Sequence, residues 1–291
     1  MDCGIVRSAR DEPHHLHPLH GRGGRQSGRA AVVDCRPRKL HHPIDSEENV
    51  RLVRYRMKKT NRFVIWDFDG TLAQRIGGWS GALLAVLKKK DPSTTVTVEQ
   101  LRPYLQAGFP WHAPEIGHSG LSPADWWAEM LPVFGRAFRS VGVEAAAARD
   151  LARQVRAAYL DLRAWRRFDD ATSTLQSLSQ QGWRHVLLSN HVPELPRLLD
   201  HLELSAHFAA VFNSAQTGWE KPNGHAFRLA ADWIRAQGKS AAPVQVWMVG
   251  DSLSSDIRGA QEAGLPAILV HASAPGVPCS ETLAGLLKIL V

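Results

Sequence analysis

The sequence predicts an α/β fold, with a Rossmann-like parallel sheet as its core and an inserted α-helical domain. Three observations carry this. After residue 60, short and nearly continuous apolar runs alternate with amphipathic stretches, the pattern of strands buried on both faces and joined by helices. From Gln74 to about Arg167 the pattern is helical with no strand signal, which is too long for a crossover. The first apolar run, FVIWDFDGTLA from Phe63 to Ala73, ends in two carboxylates two positions apart in front of Gly-Thr.

In chain order, the strands are expected at Phe63 to Phe68, His185 to Ser189, Ala209 to Asn213, Gln245 to Val249 and Ala267 to Val270. Between and after them, helices are expected over Ala171 to Gln181, Glu194 to His201, His225 to Gln237, Ser254 to Ala263 and Glu281 to Leu290. Within the insert, Gly81 to Lys90, Val98 to Gln106, Pro123 to Phe138 and Glu144 to Arg163 read as helices. They are joined in part by the Pro-, Gly- and His-rich loop FPWHAPEIGHSG, Phe109 to Gly120. The resulting division is a tail over 1–60, an α/β core over 61–73 and 168–291, and a helical insert over 74–167.

The tail differs in kind from the rest. The chain has 291 residues, 44% of them hydrophobic, and a net charge of +7, yet residues 1–56 alone hold 11 basic and 7 acidic residues. Stretches such as HHLHPLH, GRGGRQSGR and RPRKLHHP have no apolar periodicity and read as a disordered, solvated tail. They lack the ligand spacing of a zinc site and the interleaved aromatics of a nucleic-acid surface. A start at Met57, where MKKTNR leads directly into the first strand, is an alternative that leaves the tail untranslated. No apolar segment could serve as a signal-peptide core or a membrane span, so the expectation is a cytoplasmic protein with no membrane partner. Cys3, Cys35 and Cys279 form no CxxC pair, which suits a reduced protein.

In an open parallel sheet, ligands bind beyond the carboxyl ends of the strands. The first strand ends in Asp67-Phe68-Asp69-Gly70-Thr71 and the second in Ser189-Asn190. The third is followed by GWEKP with Lys221, and the fourth ends in GDSLSSD with Asp251 and Asp256. Carboxylates, a hydroxyl and an ammonium gathered at one edge suit phosphoryl transfer, which needs a nucleophile, cations and a proton donor. Clustered carboxylates call for a hard divalent cation, and Mg²⁺ matches best. With Lys221 it would keep Asp67 ionised, while Asp69 is held protonated as an acid.

These residues resemble the four ordered motifs of the haloacid dehalogenase (HAD) superfamily: DFDGT at 67–71, Ser189, Lys221-Pro222, and GDxxxxD from Gly250 to Asp256. The likeness runs from about Phe63 to Ile268. It places the insert where that superfamily carries a cap, as in relatives of phosphoglycolate phosphatase and β-phosphoglucomutase. The resemblance implies that Asp67 forms an aspartyl-phosphate and that Asp69 protonates the leaving group and then activates water. It further implies Mg²⁺ on the Asp67 carboxylate, the Asp69 backbone carbonyl and Asp251, with Asp256 a further ligand or a support behind them. Ser189, Asn190 and Lys221 would bind the phosphoryl group, Thr71 would orient Asp67, and Gly70 would permit the turn. Asn223-Gly224 departs from the acidic residue and proline frequent in that family after the lysine.

An acid at the position of Asp69 separates the chain, by the same resemblance, from dehalogenases and transport ATPases. What remains is a phosphatase acting on a small phosphorylated metabolite, with a phosphomutase or a non-catalytic binding protein of the same fold as alternatives, as a monomer or homodimer. Substrate choice belongs to the cap. There Arg75 is expected to meet a second anionic group or to be a solvated hinge residue. Trp79 touches the substrate or, with Trp126 and Trp127, builds the cap's own core. Trp111 is a further aromatic candidate, and His112 and His118 read as loop polar groups and not metal ligands.

Overall fold

The computed structural model describes residues 61–118, 120–237 and 243–291, so the tail and the alternative start at Met57 lie outside the described residues. Six strands form one parallel sheet: β1 (Arg62–Trp66), β4 (Trp183–Ser189), β5 (Phe208–Asn213), β6 (Gln245–Gly250), β7 (Ala267–Val270) and β8 (Cys279–Ser280). Their order is β5-β4-β1-β6-β7-β8, with β1 paired to both β4 and β6.

The apolar runs form strands because both faces of the sheet are covered. Val64 and Trp66 of β1 belong to one buried cluster, with Leu175 and Leu178 of the helix Ala171–Gln180 and with Leu195, Leu198 and Leu199. Phe63 and Ile65 belong to the other, with Ala226, Phe227, Ala230 and Ile234 of the helix Gly224–Gln237. Period-2 alternation thus splits one strand between two cores. Each such side chain, buried relative to exposed, contributes about 2 kcal/mol.

Two further strands, β2 (Ala73–Arg75) and β3 (Trp165–Arg167), pair antiparallel and bracket the helical insert. The expectation of no strand between Gln74 and Arg167 is therefore corrected: three-residue strands are too short to show alternation, and only their pairing makes them. Between them lie α1 (Gly78–Lys90), α2 (Val98–Leu101), α3 (Pro123–Ser140), α4 (Ala145–Ala152) and α5 (Val155–Tyr159). Helix α3 starts at Pro123 under a Ser122 cap that accepts the Asp125 amide. It buries Trp126, Trp127, Met130, Val133, Phe134, Ala137 and Phe138, one face at helical spacing.

Other boundaries also move. The stretch Glu144 to Arg163 is two helices and a 3₁₀ turn, and where the second helix ends the Ala158 and Tyr159 carbonyls bond to Arg75. Val98 to Gln106 passes into a 3₁₀ turn at Arg102. The stretch from Ser254 is a π-helical turn, Leu253–Arg258, before the short helix Gly259–Glu262. The C-terminal stretch is a 3₁₀ helix, Ala284–Lys288, whose first amides bond to Asp170 and to the Thr282 hydroxyl. Among the described residues no helix is long and apolar enough to cross a membrane.

Candidate active site

At the carboxyl end of β1 the Asp67 amide still donates to the Val249 carbonyl at 3.0 Å. The chain then turns sharply, with the amides of Thr71, Leu72 and Ala73 all on the Phe68 carbonyl. Gly70 takes φ 92°. A Cβ there would lie 2.3 Å from Asp251 Oδ2, so glycine is required both for the left-handed turn and for the room Asp251 occupies.

The strand ends bring the expected groups together. Ser189 Oγ donates to Asp67 Oδ1 at 3.0 Å, and Lys221 Nζ donates to the same oxygen at 2.7 Å. The ammonium also donates to Asp256 Oδ1 at 2.6 Å, and Asp256 Oδ2 accepts the Ser252 amide at 3.0 Å. The Thr71 hydroxyl lies between Asp251 Oδ1 at 3.1 Å and Asp67 Oδ2 at 3.4 Å. Asp67, Asp251 and Asp256 each bring a carboxylate oxygen within 4.8 Å of the others, an all-oxygen donor set fitted to a hard cation. Within it Asp67 and Asp256 have both oxygens engaged, whereas Asp251 meets the Thr71 hydroxyl through Oδ1.

Burial, and then the charges of Asp67 and Asp251, push the Asp69 carboxyl up to about 7. Asp251 rises to about 6, from burial first and the Asp67 charge second. For Lys221, burial works against the charged form, but the carboxylates of Asp256 and Asp67 outweigh it and hold the ammonium above the usual lysine range.

Other expected residues have different employment. Both ends of the Asn190 carboxamide are taken by the Lys221 backbone, at 2.8 and 2.7 Å, so its side chain anchors the lysine loop where it lines the cleft. Arg75 is neither a solvated hinge nor a free anion receptor. It is buried, and its guanidinium donates to the carbonyls of Tyr159, Ile76, Gly78 and Ala158. Trp79 stacks on Tyr159 with centroids 3.8 Å apart and contacts Phe134 and Trp127, yet it also rims the cleft. Trp127 donates to Glu194, and Trp126 is fully buried. His112 accepts the Phe109 amide, and His118 sits 3.1 Å from Glu220.

The cleft over these groups holds about 300 Å³. Asp67, Ser189, Lys221 and Asp251 line its floor, and Trp79, Trp111 and Tyr159 come from the insert. Tyr159, His191, Val192, Ser252 and Ser255 of its lining were not singled out from the sequence. His191 directly follows Ser189-Asn190 and carried a usable signal, a polar residue at a strand end. Tyr159 gave none that separates it from a core aromatic. A larger hollow, about 450 Å³, lies at the opposite edge of the sheet between Trp183, Val246, Trp247 and Pro266, and has no ionisable side chain.

The family described as haloacid dehalogenase-like hydrolase matches residues 62–264, more than half of the chain. The chain belongs to the haloacid dehalogenase-like hydrolases. It is an enzyme of that family and similar to the phosphoserine phosphatase of Thermus thermophilus, at 34% identity over 176 residues, 56% of this chain and 68% of that protein. The haloacid dehalogenase-like hydrolase domain-containing protein 3 of Mus musculus is 30% identical over 182 residues, 62% of this chain and 69% of its own length. The structure of the HAD-hydrolase YfnB from Bacillus subtilis bound to magnesium shares the fold. Its TM-score is 0.57 at 21% identity, over 79% of this chain and 98% of that one.

Proposed function

We propose that this HAD-like hydrolase is a Mg²⁺-dependent phosphatase that hydrolyses a small phosphomonoester through Asp67. The observation that carries this is the placement of Ser189 Oγ and Lys221 Nζ on one oxygen of a carboxylate whose neighbours, Asp69 and Asp251, are also acidic. Donors that converge on a nucleophile are placed to receive the oxygens of a phosphoryl group brought to it. The name of the Thermus thermophilus relative supports a phosphatase, and an acid at Asp69 supports it over a dehalogenase.

Asp67 attacks phosphorus, and the bond from phosphorus to the leaving oxygen breaks as Asp69 gives that oxygen its proton. Asp69, now ionised, takes a proton from water as the water oxygen bonds to phosphorus. The bond to Asp67 breaks, inorganic phosphate leaves, and both carboxyl groups return to their starting states. Asp67, Asp251 and the Asp69 backbone carbonyl would hold the Mg²⁺, which supplies charge neutralisation on the phosphoryl oxygens. Asp256, paired to Lys221, fixes the ammonium and is assigned the supporting role. The insert, residues 74–167, serves as the cap that closes the site from water. A cytoplasmic monomer or homodimer completes the reading.

The test is phosphate release from a panel of phosphomonoesters with and without Mg²⁺, for the wild type and Asp67→Asn. Turnover that needs the metal and vanishes in the variant supports the reading. A hexose phosphate that is isomerised without release of phosphate would instead identify a phosphomutase.

A further inference from the structure

The wall of the cleft says more about the leaving group than the floor does. His191 is 3% exposed, lines the cleft, and neither of its ring nitrogens has a hydrogen-bond partner in the protein. It sits among rings, edge-on to Phe68 at 5.3 Å and with Trp165 and Tyr159 at 5.5 and 6.1 Å. A buried imidazole with two unused polar atoms is costly unless a ligand or water completes it. Beside it stand Trp79, stacked on Tyr159, and the half-buried Trp111, stacked on Phe109 at 4.6 Å.

Charge is what this wall lacks. Among the described residues that line the cleft, the only lysine or arginine is Lys221, which is held by Asp67 and Asp256. The nearby Arg75 is spent on four backbone carbonyls. A carboxylate or second phosphate on the leaving group would therefore be desolvated with no counter-charge, a penalty of the kind that decides specificity. A flat ring meets none, since aromatic walls accept a flat face.

We propose that the substrate is a phosphomonoester of an uncharged, hydroxyl-bearing ring, with the ring face against Trp79 and Trp111 and a hydroxyl on His191. This rests on the phosphatase reading and narrows it. Phosphoserine, despite the similarity to a phosphoserine phosphatase, is then a poor substrate, because its carboxylate meets no counter-charge on this wall.

The experiment is steady-state kinetics with Mg²⁺ on a hexose 6-phosphate, a hydroxybenzyl phosphate, unsubstituted benzyl phosphate, O-phosphoserine and phosphoglycolate. The panel is repeated for His191→Leu and His191→Gln, with thermal melting as the check on folding. The expected result is kcat/KM at least about tenfold higher for one of the hydroxylated rings than for the two charged compounds. The hydroxylated ring preferred, sugar or arene, identifies the source. In His191→Leu the KM for that ring rises several-fold with kcat and the KM for benzyl phosphate little changed, and His191→Gln recovers part of the loss. Equal or better turnover of phosphoserine or phosphoglycolate overturns the inference and leaves the phosphatase intact. An equal KM rise for hydroxylated and plain rings overturns the role of His191. Turnover of none of the five overturns the phosphatase reading together with this one.

Discussion

Lys221 sets its ammonium 2.7 Å from the Asp67 carboxylate across 154 positions of chain, and the same ammonium lies 2.6 Å from Asp256. All three side chains are buried. One cation between two buried carboxylates ties the end of β1 and the turn after β6 to the loop after β5, so the arrangement holds the sheet edge together.

Lys221→Met removes the cation and leaves two buried carboxylates facing each other. Breaking a buried pair of this kind costs about 3–5 kcal/mol. Urea unfolding should show a loss in that range, and phosphate release should be abolished. Lys221→Arg should recover neither, because a planar guanidinium does not fit a site 2% exposed and shaped to a point charge.

Gly70→Ala should spare the fold and cripple the site. The left-handed backbone costs an alanine about 1–2 kcal/mol. The new methyl group also displaces Asp251, whose Oδ2 is 2.3 Å from the Cβ position. A displacement near 1 Å lowers kcat about a hundredfold. A melting midpoint that falls modestly while turnover collapses is the expected pair of readings; unchanged turnover would contradict it.

Arg75→Ala should loosen the root of the insert. Its guanidinium gathers carbonyls from both sides of the helical segment, at Ile76 and Gly78 and at Ala158 and Tyr159. The expected cost is about 2–4 kcal/mol, since charged hydrogen bonds are lost and buried carbonyls are left bare. Arg75→Lys should restore little, because one ammonium cannot span four carbonyls. Limited proteolysis between residues 76 and 164 measures the loosening directly.

His185 should make stability fall in mild acid. Its Nδ1 accepts from Trp66 Nε1 at 3.0 Å, so Nε2 carries the proton and donates to the Leu175 carbonyl at 3.0 Å, with the Ser179 hydroxyl also 3.0 Å away. Burial lowers its pKa from 6.5 to about 4, with His207 adding a little in the same direction. The folded state thus binds a proton less readily than the unfolded chain. The stabilisation is complete above pH about 6.5 and is lost as pH falls from there toward about 4, by roughly 3 kcal/mol at most. Across that window the wild type should lose more stability to urea than His185→Gln does, since His191, also lowered to about 4 by burial, titrates in both.

The parallel sheet was legible because five apolar runs, each four to six residues long, report burial on both faces without reference to any partner. The strand-end cluster was legible for the same reason: Asp67, Ser189, Lys221 and Asp251 follow the ends of runs, and an open sheet collects such ends at one edge. What depends on pairing across the chain was not legible. The β2–β3 pair joins Ala73–Arg75 to Trp165–Arg167, far apart in the sequence, and carbonyls from both ends of the insert make Arg75 a backbone clamp where an anion receptor was expected. Asn190 likewise holds the Lys221 backbone with both ends of its amide, a contact its place in the sequence does not show. His191 lay unnoticed, although its place directly after the strand-end Ser189-Asn190 was a local signal.

The central claim is that Asp67 carries the phosphoryl group, and rapid acid quench of Mg²⁺-loaded enzyme turning over a phosphomonoester tests it most directly. Peptide mass spectrometry should find one added phosphoryl group, labile to hydroxylamine, on the peptide containing Asp67 in the wild type and none in Asp67→Asn. Turnover with no label on that peptide, or label and turnover that persist in Asp67→Asn, would contradict the account.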